Sequence, residues 1–177
     1  MNAIDGRLRA AVLFHFVHFQ SAERAMSRSG YSEDCDDDQW GFIRYRGMVA
    51  SATRGKRGQS LFRDILIGMN GMICKRLIAD ELEQEGAVCA IGAAGKVRGV
   101  DMSNIDPEDA DMVAGKFDIA DCLAREIVWM NDESGMTGEW IENEKRWRPE
   151  SPDERFIRMR KWIRSQITDP LFDVVWC

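Results

Sequence analysis

The amino-acid sequence predicts an α+β fold that is mainly α: a single compact helical domain with one small β-hairpin. Apolar residues recur at helical spacing in several windows, each bounded by glycine, proline or capping residues. Residues 74–83 lose that period and lead into a Glu85-Gly86 turn followed by Ala87-Val88, the pattern of a short hairpin. The 177 residues suffice for one buried core and fall short of two ordinary domains. The expected organisation is an extension over residues 1–25, one globular domain over 26–168 and an apolar tail over 169–177.

In the extension, Arg7 and Arg9 precede an apolar run, residues 10–19, that is too short to cross a bilayer. Ser21-Ala22-Glu23-Arg24-Ala25 is a poor cleavage site for a secretory signal, so a peripheral helix, or an extension upstream of an alternative start at Met26, is expected. Residues 39–53 carry Trp40, Ile43, Gly47, Met48 and Ser51 at helical spacing, which predicts a helix with its small and apolar residues on one stripe. The acids Glu33, Asp34, Asp36, Asp37 and Asp38 come just before it, where exposed amides favour negative charge. Arg54-Gly55-Lys56-Arg57-Gly58 reads as a turn. Gln59 then opens a second helix with Leu61, Phe62, Ile65, Leu66, Met69 and Met72 on a broad apolar face, ending near Gly71.

After the hairpin, Ala90-Ile91-Gly92-Ala93-Ala94-Gly95 predicts a buried helix from near Cys89 to before Gly99, built of residues small enough to pack close to a neighbour. Asp106-Pro107-Glu108-Asp109 combines a capping side chain, a proline for the first helical position and acids in the first turn, and so predicts another helix start. The next helix runs from about Ile119 through Cys122, Leu123, Glu126, Ile127 and Met130. It should stop at Asn131-Asp132, whose side chains compete with the helical backbone. Residues 132–150 are polar, with Gly135, Gly138 and Pro149, and read as a long exposed connection. Ser151-Pro152-Asp153-Glu154 is a capping box. The closing helix then places Phe156, Met159, Ile163 and Ile167 on one stripe and sets Arg158, Lys161 and Arg164 toward solvent.

A net charge of −6 opposes general attraction to nucleic-acid backbones, although the cations cluster locally. Cys35, Cys74, Cys89, Cys122 and Cys177 are odd in number and widely spaced, with His15 and His18 as the only histidines. That spacing fits neither a disulfide framework nor a zinc site; reduced thiols, no metal and no cofactor are expected.

Several segments carry a resemblance: Arg54-Gly55-Lys56-Arg57-Gly58-Gln59, Lys75-Arg76-Leu77-Ile78-Ala79-Asp80-Glu81-Leu82, Val88-Cys89-Ala90-Ile91-Gly92-Ala93, Asn131-Asp132-Glu133 and Ser151-Pro152-Asp153-Glu154-Arg155. Through them the chain from Gln39 to about Ile167 resembles a group of uncharacterised proteins encoded by phages and prophages of proteobacteria. Its later part is similar to a broader set of bacterial domains that pair a C-A-[IL]-G-A element with a downstream N-D and a final amphipathic helix. The resemblance implies a phage accessory protein acting on a host or phage macromolecule in the host cytoplasm, and carries over no catalytic residue.

Cys89 with Asn131 and Asp132 invites a thiol-nucleophile reading, but that reading lacks a base, since both histidines lie in the extension. Cys89 also reads as a small buried residue at a tight packing point. Asp80, Glu81, Asp132 and Glu133 could meet to bind a divalent ion or to act as an acid and base pair, though no ligand spacing backs this and Asn131-Asp132 reads equally as a helix terminus. The cations Arg54, Lys56 and Arg57, widened by Arg44, Arg46 and Arg63, could present charge to phosphate or to an acidic partner, or simply solvate a turn. They lack the order of a nucleotide P-loop. Trp40, Trp129 and Trp162 are expected in the core, whereas Trp140 and Trp147, on the polar connection, are expected to reach a partner. The tail, residues 171–177, is expected to dock on the body or to form an oligomer contact.

The expected protein is therefore a non-enzymatic phage accessory protein that binds a host or phage protein complex, with no membrane partner. Inhibition of a host defence or nucleic-acid-processing complex is the role the resemblance favours. A small nucleic-acid-binding protein using the basic turn is the alternative, and a cysteine-dependent hydrolase comes third; homo-oligomerisation stays open.

Overall fold

The computed structural model describes residues 39–134, 139–141, 143 and 145–169. The expectations for the extension 1–25, for the acidic run at 33–38 and for the tail 171–177 lie outside the described residues. The architecture is helical with small β elements. The order is α1 (Gln39–Arg54), α2 (Lys56–Gly71), β1 (Glu83–Gln84), β2 (Ala87–Val88), α3 (Ala90–Arg98), α4 (Ala110–Phe117) and α5 (Asp121–Val128). A π-helical turn (Trp129–Glu133), β3 (Glu139–Ile141), β4 (Arg146–Arg148) and α6 (Pro152–Gln166) complete it.

Helix α2 is the central post. Its broad apolar face buries Leu61, Phe62, Ile65, Leu66 and Met69 against Ile91, Ala93 and Ala94 of α3, Leu123 and Ile127 of α5, and Phe156, Met159 and Ile163 of α6. Small residues set the α2–α3 distance. A methyl group built on Gly68 would sit 2.3 Å from the Ala93 carbonyl oxygen, so the two backbones touch there. The core is completed by Leu77 and Leu82, and by Val113, Ala114 and Phe117 of α4. Trp162 meets Phe62 edge to face at 5.6 Å.

The predicted bounds of α3 and the predicted capping box of α6 are present. The Sγ of Cys89 accepts from the Gly92 N–H, and Gly99 ends α3 in the left-handed conformation. Ser151 and Glu154 form the capping box, with Arg148 gripping the Glu154 carboxylate through both guanidinium nitrogens at 3.0 and 2.8 Å. Arg148 first, then the Ser151 N–H and hydroxyl, pull the Glu154 carboxyl from its usual 4.5 down to about 2. Because the folded value lies below the unfolded one, this stabilisation is complete above about pH 4.5 and is lost as pH falls toward about 2. Glu154→Gln should therefore lower the unfolding midpoint at neutral pH, and the gap to wild type should narrow at about pH 3, as checked by urea melts at both pH values.

Several local expectations change. Trp40, Ile43, Gly47, Met48 and Ser51 of α1 face outward, Trp40 being 73% exposed, so Trp40 is not a core residue. The helix docks instead through buried Val49, through the Tyr45 hydroxyl donating to the Cys122 carbonyl at 3.3 Å, and through Arg46 on Glu126. The basic turn contracts to one residue. Gly55 is extended and precedes α2 directly, while Gly58 lies against the Ala52 carbonyl, where a Cβ would come within 2.2 Å. Asp106-Pro107 makes a turn held by Asp106 side-chain and backbone acceptors, and Asp109 caps α4 through the Asp111 and Met112 N–H groups. Asn131-Asp132 does not stop the chain: α5 widens into the π turn, closed by Ser134 N–H donating to the Trp129 carbonyl at 2.8 Å. The polar connection contains a second hairpin, β3–β4, in which Trp140 stands opposite Trp147. No helix among the described residues is long and apolar enough to cross a membrane.

Candidate functional site

Four of the five segments that carry the resemblance, residues 75–82, 88–93, 131–133 and 151–155, meet in a polar knot around Asn131, whereas 54–59 lies apart from it. Asn131 is 2% exposed, and its side chain reaches two distant parts of the chain as well as the neighbouring Asp132. Its Oδ1 accepts from the Ala90 N–H at 3.2 Å, and its Nδ2 donates to the Ile78 carbonyl at 2.9 Å and to the Asp132 carboxylate at 2.5 Å. Asn131 is the buried residue of the π turn.

Helix α6 completes the knot. Arg158, expected in solvent, is half-buried and donates to the carbonyls of Met130 and Asn131, to the Ser134 hydroxyl and to Glu150. Arg155 donates to the Leu77 carbonyl at 3.1 Å and lies 3.6 Å from Glu150, and the Leu77 N–H donates to the Pro152 carbonyl. The hairpin joins in through Ile78 N–H on the Val88 carbonyl and Cys89 N–H on the Leu82 carbonyl. Peptide groups that belong to no helix or sheet ladder are thereby paired, which burial requires.

The sequence candidates Cys89, Asn131 and Asp132 all lie in this knot, and the hydrogen bonds described for them hold the knot together. Cys89 is 3% exposed, its sulfur caps α3, and no histidine occurs among the described residues to serve as a base. Among the described residues no group of three His, Cys, Asp or Glu side chains gathers to hold a metal ion. Cys122 is buried, and desolvation first, then Asp121 and Glu126, raises its thiol pKa above the ordinary range, which keeps it protonated.

Arg54 ends α1, while Lys56 and Arg57 lie in the first turn of α2, all exposed. Arg57 pairs with Asp118 at 2.9 Å and Arg63 lies 3.6 Å from Asp169. The Trp140 and Trp147 positions pair across β3 and β4, on the far side of the sequence from that cluster.

A different basic surface emerges only from the fold. The C-terminal end of α2 and one side of α6 enclose a groove of about 440 Å³ lined by Asn70, Lys75, Phe156, Ile157, Arg160, Lys161 and Arg164. Four of these seven residues are cationic and none is acidic. Lys75 donates to the Met69 and Asn70 carbonyls, satisfying the end of α2, and stands 5.9 Å from the Phe156 ring centre. Arg160 is steered by Asn70 Oδ1 at 3.1 Å, and Ile157, 68% exposed, adds an apolar contact. The spacing of Ile157, Arg160, Lys161 and Arg164 at i, i+3, i+4 and i+7 was the available signal. What sequence reasoning lacked was the contribution of Asn70 and Lys75.

Comparison with known protein families, with characterised proteins and with solved structures finds no match to this chain.

Proposed function

We propose that the protein acts by binding, holding an acidic, partly apolar segment of a partner protein in the groove between α2 and α6. The observation that carries this reading is the lining itself: four cations around an apolar floor with no carboxylate among them, in a chain whose net charge is −6. Opposite charge is concentrated there, while Phe156 and Ile157 offer an apolar anchor that a bare phosphate backbone would not use. Together with the resemblance to phage accessory proteins, this favours capture of a host or phage protein complex, with inhibition of a host defence or nucleic-acid-processing assembly as the consequence.

The test is a pull-down of the tagged full chain from a proteobacterial lysate, with and without nuclease, run beside an Ile157→Asp/Lys161→Glu double variant. Both side chains are exposed, so the variant should keep the wild-type melting curve. The expected result is a defined protein partner that survives nuclease, binds wild type and is lost from the variant by tenfold or more. Partners that vanish with nuclease would replace this reading by nucleic-acid binding, which would also show a steep fall of affinity with salt. A nuclease-resistant partner retained by the variant would move the site elsewhere.

A further inference from the structure

We propose that Asn70 makes part of the groove a carboxylate seat: it fixes Arg160 and Lys75 so that they hold one acidic side chain of a helical partner segment, with a large apolar side chain of that segment one turn away on Ile157. The seat lies within the α2–α6 groove and rests on the reading of that groove as a partner site; it adds the group recognised, the residue that positions the recognising cation and the spacing the partner presents.

Asn70 sits in the last turn of α2 and bonds two cations at once. Its backbone carbonyl accepts from Lys75 Nζ at 2.6 Å, and its side-chain Oδ1 accepts from Arg160 Nε at 3.1 Å. Like charges drawn to one residue repel each other unless an anion joins them. Among the described residues, none of Lys75, Arg160 and Lys161 meets a carboxylate. Acids are not scarce, since Asp and Glu number 30 against 24 Lys and Arg. Exposed cations elsewhere do find them, as Arg57 does at Asp118, Arg76 at Asp153 and Lys96 at Glu83.

The same bond decides which edge of Arg160 is offered. A guanidinium grips a carboxylate side-on through Nε and one Nη, or end-on through both Nη groups. Asn70 occupies Nε, which closes the side-on edge and leaves Nη1 and Nη2 without an acceptor among the described residues. Two parallel N–H groups match the two oxygens of a carboxylate, whereas a side-chain amide offers one acceptor and brings donors of its own. Ile157, 68% exposed, precedes Arg160 by three positions on α6, about 4.5 Å of axial rise. A partner helix sets side chains three or four positions apart at about 5–6 Å, so an acid and a large aliphatic residue at that spacing reach Arg160 and Ile157 together.

Fluorescence anisotropy of the full chain with two labelled helical peptides tests this: one of Ala and Gln that carries Leu and Glu four positions apart, and its counterpart with Gln at each Glu position. Wild type should prefer the Glu peptide by roughly tenfold or more, as a charge-assisted pair implies. Asn70→Ala leaves Arg160 charged but unanchored, and Arg160→Lys keeps the charge without the fork. Each should cut that preference by about threefold or more and leave affinity for the Gln peptide unchanged. A damaged fold would weaken both peptides alike, so the ratio reports the seat. A wild type that binds neither peptide, or both equally, overturns the proposal, as does a preference untouched by Asn70→Ala and Arg160→Lys. If Ile157→Asp/Lys161→Glu binds both peptides as wild type does, the groove reading falls with it; if that variant loses both while Asn70→Ala and Arg160→Lys keep the full preference, the groove stands and only the seat falls.

Discussion

Gly92→Ala should destabilise the protein by about 3 kcal/mol or more, at the upper end of overpacking effects. The added methyl would stand 2.0 Å from the Leu82 carbonyl oxygen and 3.0 Å from the Val88 Cβ. Neither neighbour is a flexible side-chain end. The Leu82 carbonyl accepts from Cys89 N–H at 3.2 Å and so closes the base of the first hairpin, and Leu82 itself is buried in the core. Relief must come from moving α3 away from the hairpin, which pulls the Ala90 N–H off Asn131 as well. Two comparisons make the result specific. At Gly95 the obstruction is the thioether of Met102 at 2.6 Å, which can swing aside, so Gly95→Ala should cost clearly less. At Gly115, inside α4 with nothing within 4 Å, alanine should stabilise by roughly 0.5–1 kcal/mol through helix propensity. Urea unfolding with a shared slope would measure all three; equal losses at positions 92 and 95 would contradict the backbone-contact account.

Asn131→Ala should cost about 3–5 kcal/mol, because it strands the buried Ala90 N–H and Ile78 carbonyl at about 1–3 kcal/mol each and removes packing besides. Against the roughly 5–15 kcal/mol by which domains are stable, that is a large fraction. Asn131→Asp tests the same point by chemistry instead of volume. It keeps an acceptor for Ala90 but turns the donor that faces Ile78 and Asp132 into a second acceptor beside a carboxylate. It should therefore rescue little at neutral pH. Amide hydrogen exchange supplies the local readout: Ala90 should lose protection in both variants before the α2 core does. If Asn131→Ala unfolds at the wild-type midpoint, the knot is not what joins the hairpin, the π turn and α6.

The structural role of the knot bears on the hydrolase expectation. Cys89, Asn131 and Asp132 stood out in sequence as nucleophile and helpers, and in the fold Cys89 caps α3, Asn131 pairs the Ala90 and Ile78 backbone groups, and Asp132 accepts from the Asn131 amide. Residues that hold peptide groups in a turn-rich junction and residues that hold a substrate draw on the same side-chain types. Only the direction of each hydrogen bond separates the two, and direction is a property of the folded chain.

Local chemistry made much of the fold legible. The Ser151 capping box, the left-handed Gly99 at the end of α3, and the Glu85-Gly86 hairpin turn with both residues at positive φ depend on neighbours within a few positions. The apolar face of α2 was equally legible, because five large side chains on one stripe leave no other face to bury. Helix α1 shows where this stops. Its periodicity defined a stripe correctly, yet burial went to the opposite side, since Val49, Tyr45 and Arg46 fit partners on α5 that lie about eighty positions away. The π turn and the inward Arg158 were hidden for the same reason, since Arg158 lies 24 and 27 positions from the Ser134 and Asn131 groups it holds; the second hairpin is a local pairing that the polar composition of the connection concealed.

What the sequence determined by itself is the helical class, the Ser151 capping box, the first hairpin and the apolar face of α2, because propensity, capping and hydrophobic period act over one or two turns of chain. Only the tertiary structure decided which face of α1 is left to solvent, that Asn131 ties three segments together, and that Asn70 and Lys75 join α6 to form a basic groove. Those outcomes rest on the competition of whole surfaces for one core, and periodicity can define a helical face without naming the neighbour that will cover it.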